Sequence, residues 1–244
     1  QRQPPPPGMP RARRGRAAYD RLVSGFAGIP TDAVAFYAEL AANNNREWWG
    51  TQKERYERSV REPVLELTDA LAEEFGEVRV FRPHRDVRFS HDKTPYKDRQ
   101  GAIAQLEEGI GYYLAVGPEG LTVGGGNMHN ASDQIARYRA AVDGPATGAA
   151  LEKIMKALRR KGFQIGGEVM KTRPRGVDAD HPRLELLRHK SLIVWRDHGT
   201  PAWMSTPGVV AKVRADWRAV RPMGDWLAEH VGGTEIPQVG RPRR

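Results

Sequence analysis

The sequence of 244 residues contains no cysteine. This absence excludes disulfide bonds, thiolate metal sites and thiol catalysis. No segment approaches the roughly 18 consecutive apolar residues that a membrane-spanning helix needs, and none resembles a secretory signal. Together these absences predict a cytoplasmic protein that does not contact the membrane.

Motifs for familiar chemistry are missing as well. The histidines form no H-x-H or H-x-x-x-H pair, so no zinc site is predicted. A hydrolase triad has no G-x-S-x-G elbow. Gly124-Gly125-Gly126 lacks the Lys-Ser/Thr of a phosphate-binding loop and favours a bulge or a close backbone approach. The sequence therefore predicts no cofactor and no metal, and it leaves open whether the protein is an enzyme.

The net charge of +9 is concentrated at the two ends of the chain. Residues 1–25 hold six Arg and one Asp among many prolines, and residues 240–244 hold three Arg, so residues 26–239 carry a net charge of only +1. We expect residues 1–25 to be a disordered tail, residues 26–239 to be one domain, and residues 240–244 to be a basic tail. A nearly neutral body argues against a dedicated nucleic-acid surface.

Periodic apolar residues predict two helices in the first third of the chain. The first begins at Thr31 as its N-cap, and the three asparagines from Asn43 end it. A second, long amphipathic helix starts with a capping box at Thr51, is kinked or split by Pro63 and stops near Gly76. Trp48 and Trp49 are placed in the connection, where packing into the core is the expected role.

The remaining pattern predicts a sheet and further helices. Strand-like runs at 101–106, 112–116 and 121–125, with glycine turns between them, indicate an antiparallel meander. Helices are expected near 130–142, 147–161, 184–187 and after Pro207, a loop over 164–180, and a buried strand at 191–195. The predicted fold class is α+β, a single domain with a mainly antiparallel sheet covered by long amphipathic helices.

Charged residues are densest between residues 82 and 99, which hold six Lys/Arg, three Asp and two His. Alternation over 85–90 predicts a half-buried strand with Val87 and Phe89 facing the core. Asp86 and Arg88 would then share the other face, where they could form charge-assisted hydrogen bonds. Pro95 predicts a turn before Tyr96.

This stretch, written R-D-x-R-F-S-x-D-K-x-P-Y-K, resembles the signature of a bacterial and fungal family of conserved hypothetical proteins, the domain of unknown function numbered twenty-four sixty-one. The segment from Asn43 to Trp49 resembles the family's N-N-x-x-x-W-F segment, with Trp49 in place of phenylalanine. Pro174-Arg175-Gly176 and Asp180-His181-Pro182 resemble its C-terminal half. The resemblance covers residues 26–230 and implies no activity.

Two functional hypotheses follow from the central stretch. In the first it binds an anionic small molecule, a phosphate or carboxylate, with catalysis left open. The ligand-binding residues would be Arg85, Asp86, Arg88, Lys93 and Lys97, and Asp92 or Tyr96 would transfer a proton. In the second hypothesis the stretch is a structural polar network in a non-catalytic interaction module. The arginine-rich tails of that module would make weak, non-specific contacts with nucleic acid or an acidic partner.

Overall fold

The structure is a computed structural model that describes residues 26–88 and 92–236. Its centre is a six-stranded sheet in the order β1-β2-β3-β4-β6-β5, in which every neighbouring pair is antiparallel. The strands are β1 (Val78–Val80), β2 (Gln100–Glu107), β3 (Ile110–Gly117), β4 (Gly120–Asn127), β5 (Gln164–Gly166) and β6 (Ile193–Gly199). The predicted meander of β2, β3 and β4 is confirmed, and so is the α+β class.

Helices precede, interrupt and follow the strands. They are α1 (Thr31–Ala42), α2 (Arg46–Tyr56), a π-helical turn (Glu57–Arg61), α3 (Glu62–Phe75), α4 (Ser132–Asp143), α5 (Pro145–Arg160), α6 (Leu184–Leu187), a 3-10 turn (Ala202–Ser205) and α7 (Gly208–His230). The prediction for 164–180 was wrong in part, because β5 lies within that range and pairs with β6.

The second helix begins earlier than the sequence indicated. Asn45, and not Thr51, is its N-cap: the Asn45 side chain accepts a hydrogen bond of 2.9 Å from the Trp48 backbone N–H. The Thr51 hydroxyl instead donates to the Trp48 carbonyl. Trp48 and Trp49 therefore lie inside α2 rather than in a connection, although Trp49 is buried as expected. Similarly, Thr31 opens α1 but does not cap it.

Pro63 lies where the long helical segment changes its winding. A π-helical turn ends at Arg61, and α3 begins at Glu62 with Pro63 in its first turn. Proline has no N–H to donate to the preceding turn, and the π-helical winding falls directly before it. The segment stays helical over residues 46–75, so Pro63 does not split it in two, and α3 ends at Gly76, whose φ of 79° suits glycine.

One face of the sheet carries the apolar core. Paired residues of adjacent strands share a face, and Val80, Ala102, Leu114 and Val123 form such a row. Trp217 of α7 is fully buried on this face. Its ring stacks on Tyr112 at 5.6 Å and its indole N–H donates to the Tyr113 carbonyl at 3.1 Å. This packing fixes α7 against the middle of the sheet.

The glycine run in β4 is a place of close approach. A Cβ at Gly124 would lie 2.1 Å from the carbonyl oxygen of Val194, and one at Gly125 would lie 2.7 Å from that of Gly111. These glycines are therefore required by strand packing, as expected. They sit within the ladder and leave no loop to surround a phosphate.

Candidate functional site

Residues 83–88 and 92–97 form a short two-stranded arm between the end of β1 and the start of β2. His84 pairs with Tyr96 in an isolated antiparallel bridge. The Arg85 N–H donates to the Pro95 carbonyl at 2.8 Å, and the Lys97 N–H donates to the Pro83 carbonyl at 2.8 Å. We call residues 83–88 and 92–97 the arm.

The strand predicted over 85–90 was wrong within the described residues. Pairing in the arm ends at Arg85, and Val87 is only half-buried and is not part of the core. Phe89, Ser90 and His91 lie outside the described residues. The alternation of residue types could not reveal this, because a strand needs a partner along its whole length and the arm supplies one only near the bridge.

Asn44, in the connection between α1 and α2, and Trp49 of α2 anchor the arm. The Asn44 side chain donates to the Tyr96 carbonyl at 3.0 Å and accepts from the Tyr96 N–H at 3.1 Å. The Tyr96 ring stacks on Trp49, with centroids 4.0 Å apart, and only 5% of Tyr96 is exposed. The ring of Tyr96, which was predicted as a proton-transfer residue, is thus buried against Trp49.

Both acidic residues predicted for the site are paired with arginines of the arm. Arg85 forms an ion pair with Asp92. Hydrogen bonds from the Thr94 backbone and hydroxyl, together with the charge of Arg85, hold the pKa of Asp92 below its usual value. Asp92 is therefore a carboxylate at neutral pH, with its oxygens already accepting hydrogen bonds.

Asp86 and Arg88 form the second pair. The Arg88 guanidinium donates to both Asp86 oxygens, at 3.0 and 2.7 Å, and these bonds hold the pKa of Asp86 well below its usual range. The expected Asp86–Arg88 contact is present, but it is made by neighbouring loop residues and not across a strand face. The Arg88 side chain is 76% exposed, so this pair points into solvent.

The two predicted lysines bind backbone carbonyls. Lys93 Nζ donates to the Val87 carbonyl at 3.0 Å, and Lys97 Nζ donates to the Arg82 carbonyl at 2.9 Å. Lys93 is exposed, whereas Lys97 is half-buried. The structure therefore brings Lys97 and Arg85 together but leaves Arg88 and Lys93 at the solvent-facing end.

Lys97 lies within a group of cations, two of which were not predicted as site residues from the sequence. Burial lowers its pKa below the usual value, and the nearby charges of Arg82, Arg79 and Arg85 lower it further. Lys97 Nζ lies 5.2 Å from the Phe81 ring centroid, and the Arg79 guanidinium lies 5.3 Å from the same ring. We call Arg79, Arg82, Arg85 and Lys97 the Lys97 cluster.

The positive charge of this cluster is only partly neutralised. Arg85 has Asp92 as its partner and the charge of Arg82 acts on the Asp86 carboxylate, but neither Arg79 nor Arg82 forms an ion pair with any residue of 26–88 or 92–236. The alternation of β1, in which Arg79 is exposed between Val78 and Val80, was the signal that could have revealed Arg79. Arg82 lay inside the charged stretch but was not singled out.

Gly101 forms the floor beneath Phe81. A Cβ at this position would lie 3.0 Å from Phe81 Cδ2 and 3.0 Å from the Tyr113 hydroxyl oxygen. A side chain at residue 101 would therefore force one or both rings to shift by a few tenths of an ångström. The close approach of the rings to Gly101 fixes the ring over which Arg79 and Lys97 are placed.

The described residues contain no group of three or more acidic or histidine side chains that could hold a metal ion. In the same part of the chain, no helix is long and apolar enough to cross a membrane.

The family model of a conserved hypothetical protein, DUF2461, matches residues 32–226. The chain belongs to the DUF2461 family. The match includes the arm, its anchors Asn44 and Trp49, and all six strands of the sheet. The family description assigns no activity, and comparison with curated proteins gives no match. Function has to be argued from the site itself.

Proposed function

We propose that the protein binds a small anion, a phosphate or a carboxylate, at the Lys97 cluster. The observation that carries this proposal is the placement of Lys97 and Arg79 over the Phe81 ring, with Arg82 and Arg85 close enough for their charges to lower the pKa of the half-buried Lys97. Cations held close together repel one another, and a bound anion relieves that repulsion. Guanidinium groups beside an ammonium group suit phosphate and carboxylate oxygens.

The predicted ligand-binding set changes accordingly. Arg85 and Lys97 remain, and Arg79 and Arg82 join them. The set no longer includes Arg88, Asp86 and Lys93. Arg88 donates to Asp86 near solvent, and Lys93 donates to the Val87 carbonyl. Proton transfer by Asp92 or Tyr96 stays a prediction. The arrangement supports binding more strongly than catalysis, because Asp92 is already an ionised, hydrogen-bonded partner of Arg85.

Calorimetric titration of the full chain with inorganic phosphate and with acetate tests this proposal. Lys97→Met and Arg79→Met should each weaken phosphate binding by about tenfold, the usual effect of losing one charge-assisted hydrogen bond. Arg88→Met removes an equal charge from the arm but lies outside the cluster, so it should leave the affinity unchanged. An equal loss of phosphate affinity in all three variants would mean that the affinity depends only on the net charge of the chain.

One set of contacts favours the second hypothesis, in which the arm is a structural polar network. Arg85 pairs with Asp92, Arg88 pairs with Asp86, and Lys93 holds the Val87 carbonyl, so much of the arm's polar surface is satisfied internally. This alternative expects nucleic-acid binding to be weak, steeply dependent on salt and lost when residues 1–25 are removed. Filter binding of the full and shortened chains to single-stranded RNA at several salt concentrations separates the two hypotheses.

A further inference from the structure

A cavity lies between α5, β5 and the loop that leads to α6, and it shares no residue with the Lys97 cluster. Its volume is about 380 Å³, which falls within the range of small-molecule sites. We call it the α5–β5 cavity. Both polar and apolar side chains line it. The buried apolar ones form its inner wall, and the exposed cationic ones lie at its mouth.

The inner wall is mostly apolar and carries no charge. Met155 and Leu186 line it and are almost completely buried. His189 also lines it and is 8% exposed. Burial lowers the pKa of His189, so its imidazole is neutral at pH 7, and its Nδ1 lies 3.1 Å from the Ser191 carbonyl oxygen. The inner end therefore suits an apolar group.

The mouth is cationic. Lys156 and Arg159 are exposed, line the cavity and stand three residues apart on α5, so they share one side of the helix. Neither side chain makes an ion pair or a hydrogen bond with the rest of the described chain. Val169, which is 41% exposed, adds an apolar contact to the rim.

The acidic residues of the cavity do not cancel this charge, because each has another partner. Glu152 lies 3.8 Å from Arg183, and Glu185 lies 3.3 Å from Arg188. Arg183 is itself held in place, since it donates to the carbonyl oxygens of Val142 and Asp143 at 2.7 and 2.8 Å. The unbalanced charge of the cavity is therefore that of Lys156 and Arg159.

We propose that the α5–β5 cavity binds a small amphipathic organic anion, namely a carboxylate or a phosphate monoester on an apolar body. The charged end pairs with Lys156 and Arg159 at the mouth. The apolar body packs against Met155 and Leu186. This contact removes apolar surface of the ligand from water, which favours binding. The polarity of the cavity, with charge outside and apolar surface inside, sets the orientation of the ligand.

The test follows the methyl signals of the full chain labelled with [methyl-13C]methionine. Met155→Leu, a substitution of similar volume, assigns the Met155 signal. Hexanoate, hexyl phosphate and hexanol are then titrated separately. We expect saturable shifts of the Met155 methyl signal with at least one of the two anions, and the tighter of the two identifies the charged group. We expect much weaker binding of hexanol.

Variants of the mouth complete the test. Arg159→Gln and Lys156→Gln should each raise the dissociation constant by about tenfold. Arg160→Gln removes the same charge from the next residue, which is exposed and does not line the cavity, and should change nothing. The proposal is overturned if the Met155 signal does not respond, if hexanol binds as tightly as the anions, or if Arg160→Gln weakens binding as much as Arg159→Gln.

Discussion

Tyr96 stacks on Trp49 with ring planes only 10° from parallel and centroids 4.0 Å apart. This contact joins the arm to α2, which is far from it in the sequence. Asn44 adds two hydrogen bonds to the backbone of the same tyrosine. A charged, largely exposed arm is thus held in one position by a buried aromatic pair. The position of the Lys97 cluster depends on it.

Replacing Trp49 with alanine should destabilise the protein by about 3–5 kcal/mol, because it removes a large buried ring and leaves a cavity beside Tyr96. Urea unfolding followed by far-UV circular dichroism measures the loss. Trp48, which is only half-buried, provides the matched control, and Trp48→Ala should lower stability by clearly less. Equal effects would show that Trp49 has no special part in holding the arm.

Gly101→Ala should destabilise the protein by about 1–3 kcal/mol, because the added methyl group would press against Phe81 and Tyr113. It should also weaken phosphate binding by displacing the ring beneath Arg79 and Lys97. Gly50→Ala is the control: nothing lies within 4 Å of its Cβ, and it lies in α2. That change should stabilise the protein by about 0.5–1 kcal/mol. Thermal unfolding and calorimetry report both effects.

Asp92→Asn should tighten phosphate binding by about twofold to fivefold, since it frees Arg85 and removes a competing negative charge. Glu57→Gln changes the net charge equally but breaks a remote ion pair with Arg61, so it should have no comparable effect. If phosphate binding instead weakens in Asp92→Asn, the carboxylate takes part in the site, as the proton-transfer prediction requires.

Asp133 predicts a specific dependence of stability on pH. Its carboxylate accepts hydrogen bonds from the Glu235 N–H and the Thr234 hydroxyl, and the former contributes most to lowering its pKa to about 2. A lowered native pKa adds stability at pH values above the unfolded value, and this stability is lost as the pH falls towards 2. Asp133→Asn should therefore be less stable than the parent at pH 7 but not at pH 2. Asp69→Asn, at an exposed position of α3, controls for loss of charge.

Local patterns were sufficient to predict much of the fold. The meander of β2, β3 and β4 follows from alternating residues and glycine turns, and the change of helical winding directly before Pro63 agrees with the missing N–H of proline. The start of α2 was misplaced because three adjacent asparagines indicated a stop, while the third of them caps the next helix. β5 was missed because its three residues begin a stretch rich in glycine and basic residues that is typical of a loop.

The site was harder to predict because its parts are distant in the sequence. The charged stretch was found, and the contact between Asp86 and Arg88 was anticipated from their spacing. The grouping of Arg79 with Lys97 over Phe81 depends on the pairing of β1 with β2 and on the bridge between His84 and Tyr96. The periodicity of residue types within a single strand or helix does not indicate which strands pair, so it could not predict this grouping.

The most direct test of the account is the ionisation of Lys97, followed by NMR in the full chain labelled with [13Cε]lysine. Lys97→Arg assigns the signal. We expect the pKa of Lys97 to lie below that of the exposed lysines, because of its burial and the three arginines near it, and to rise when inorganic phosphate is added. A pKa like those of the exposed lysines, unchanged by phosphate, would contradict the claim that the Lys97 cluster binds an anion.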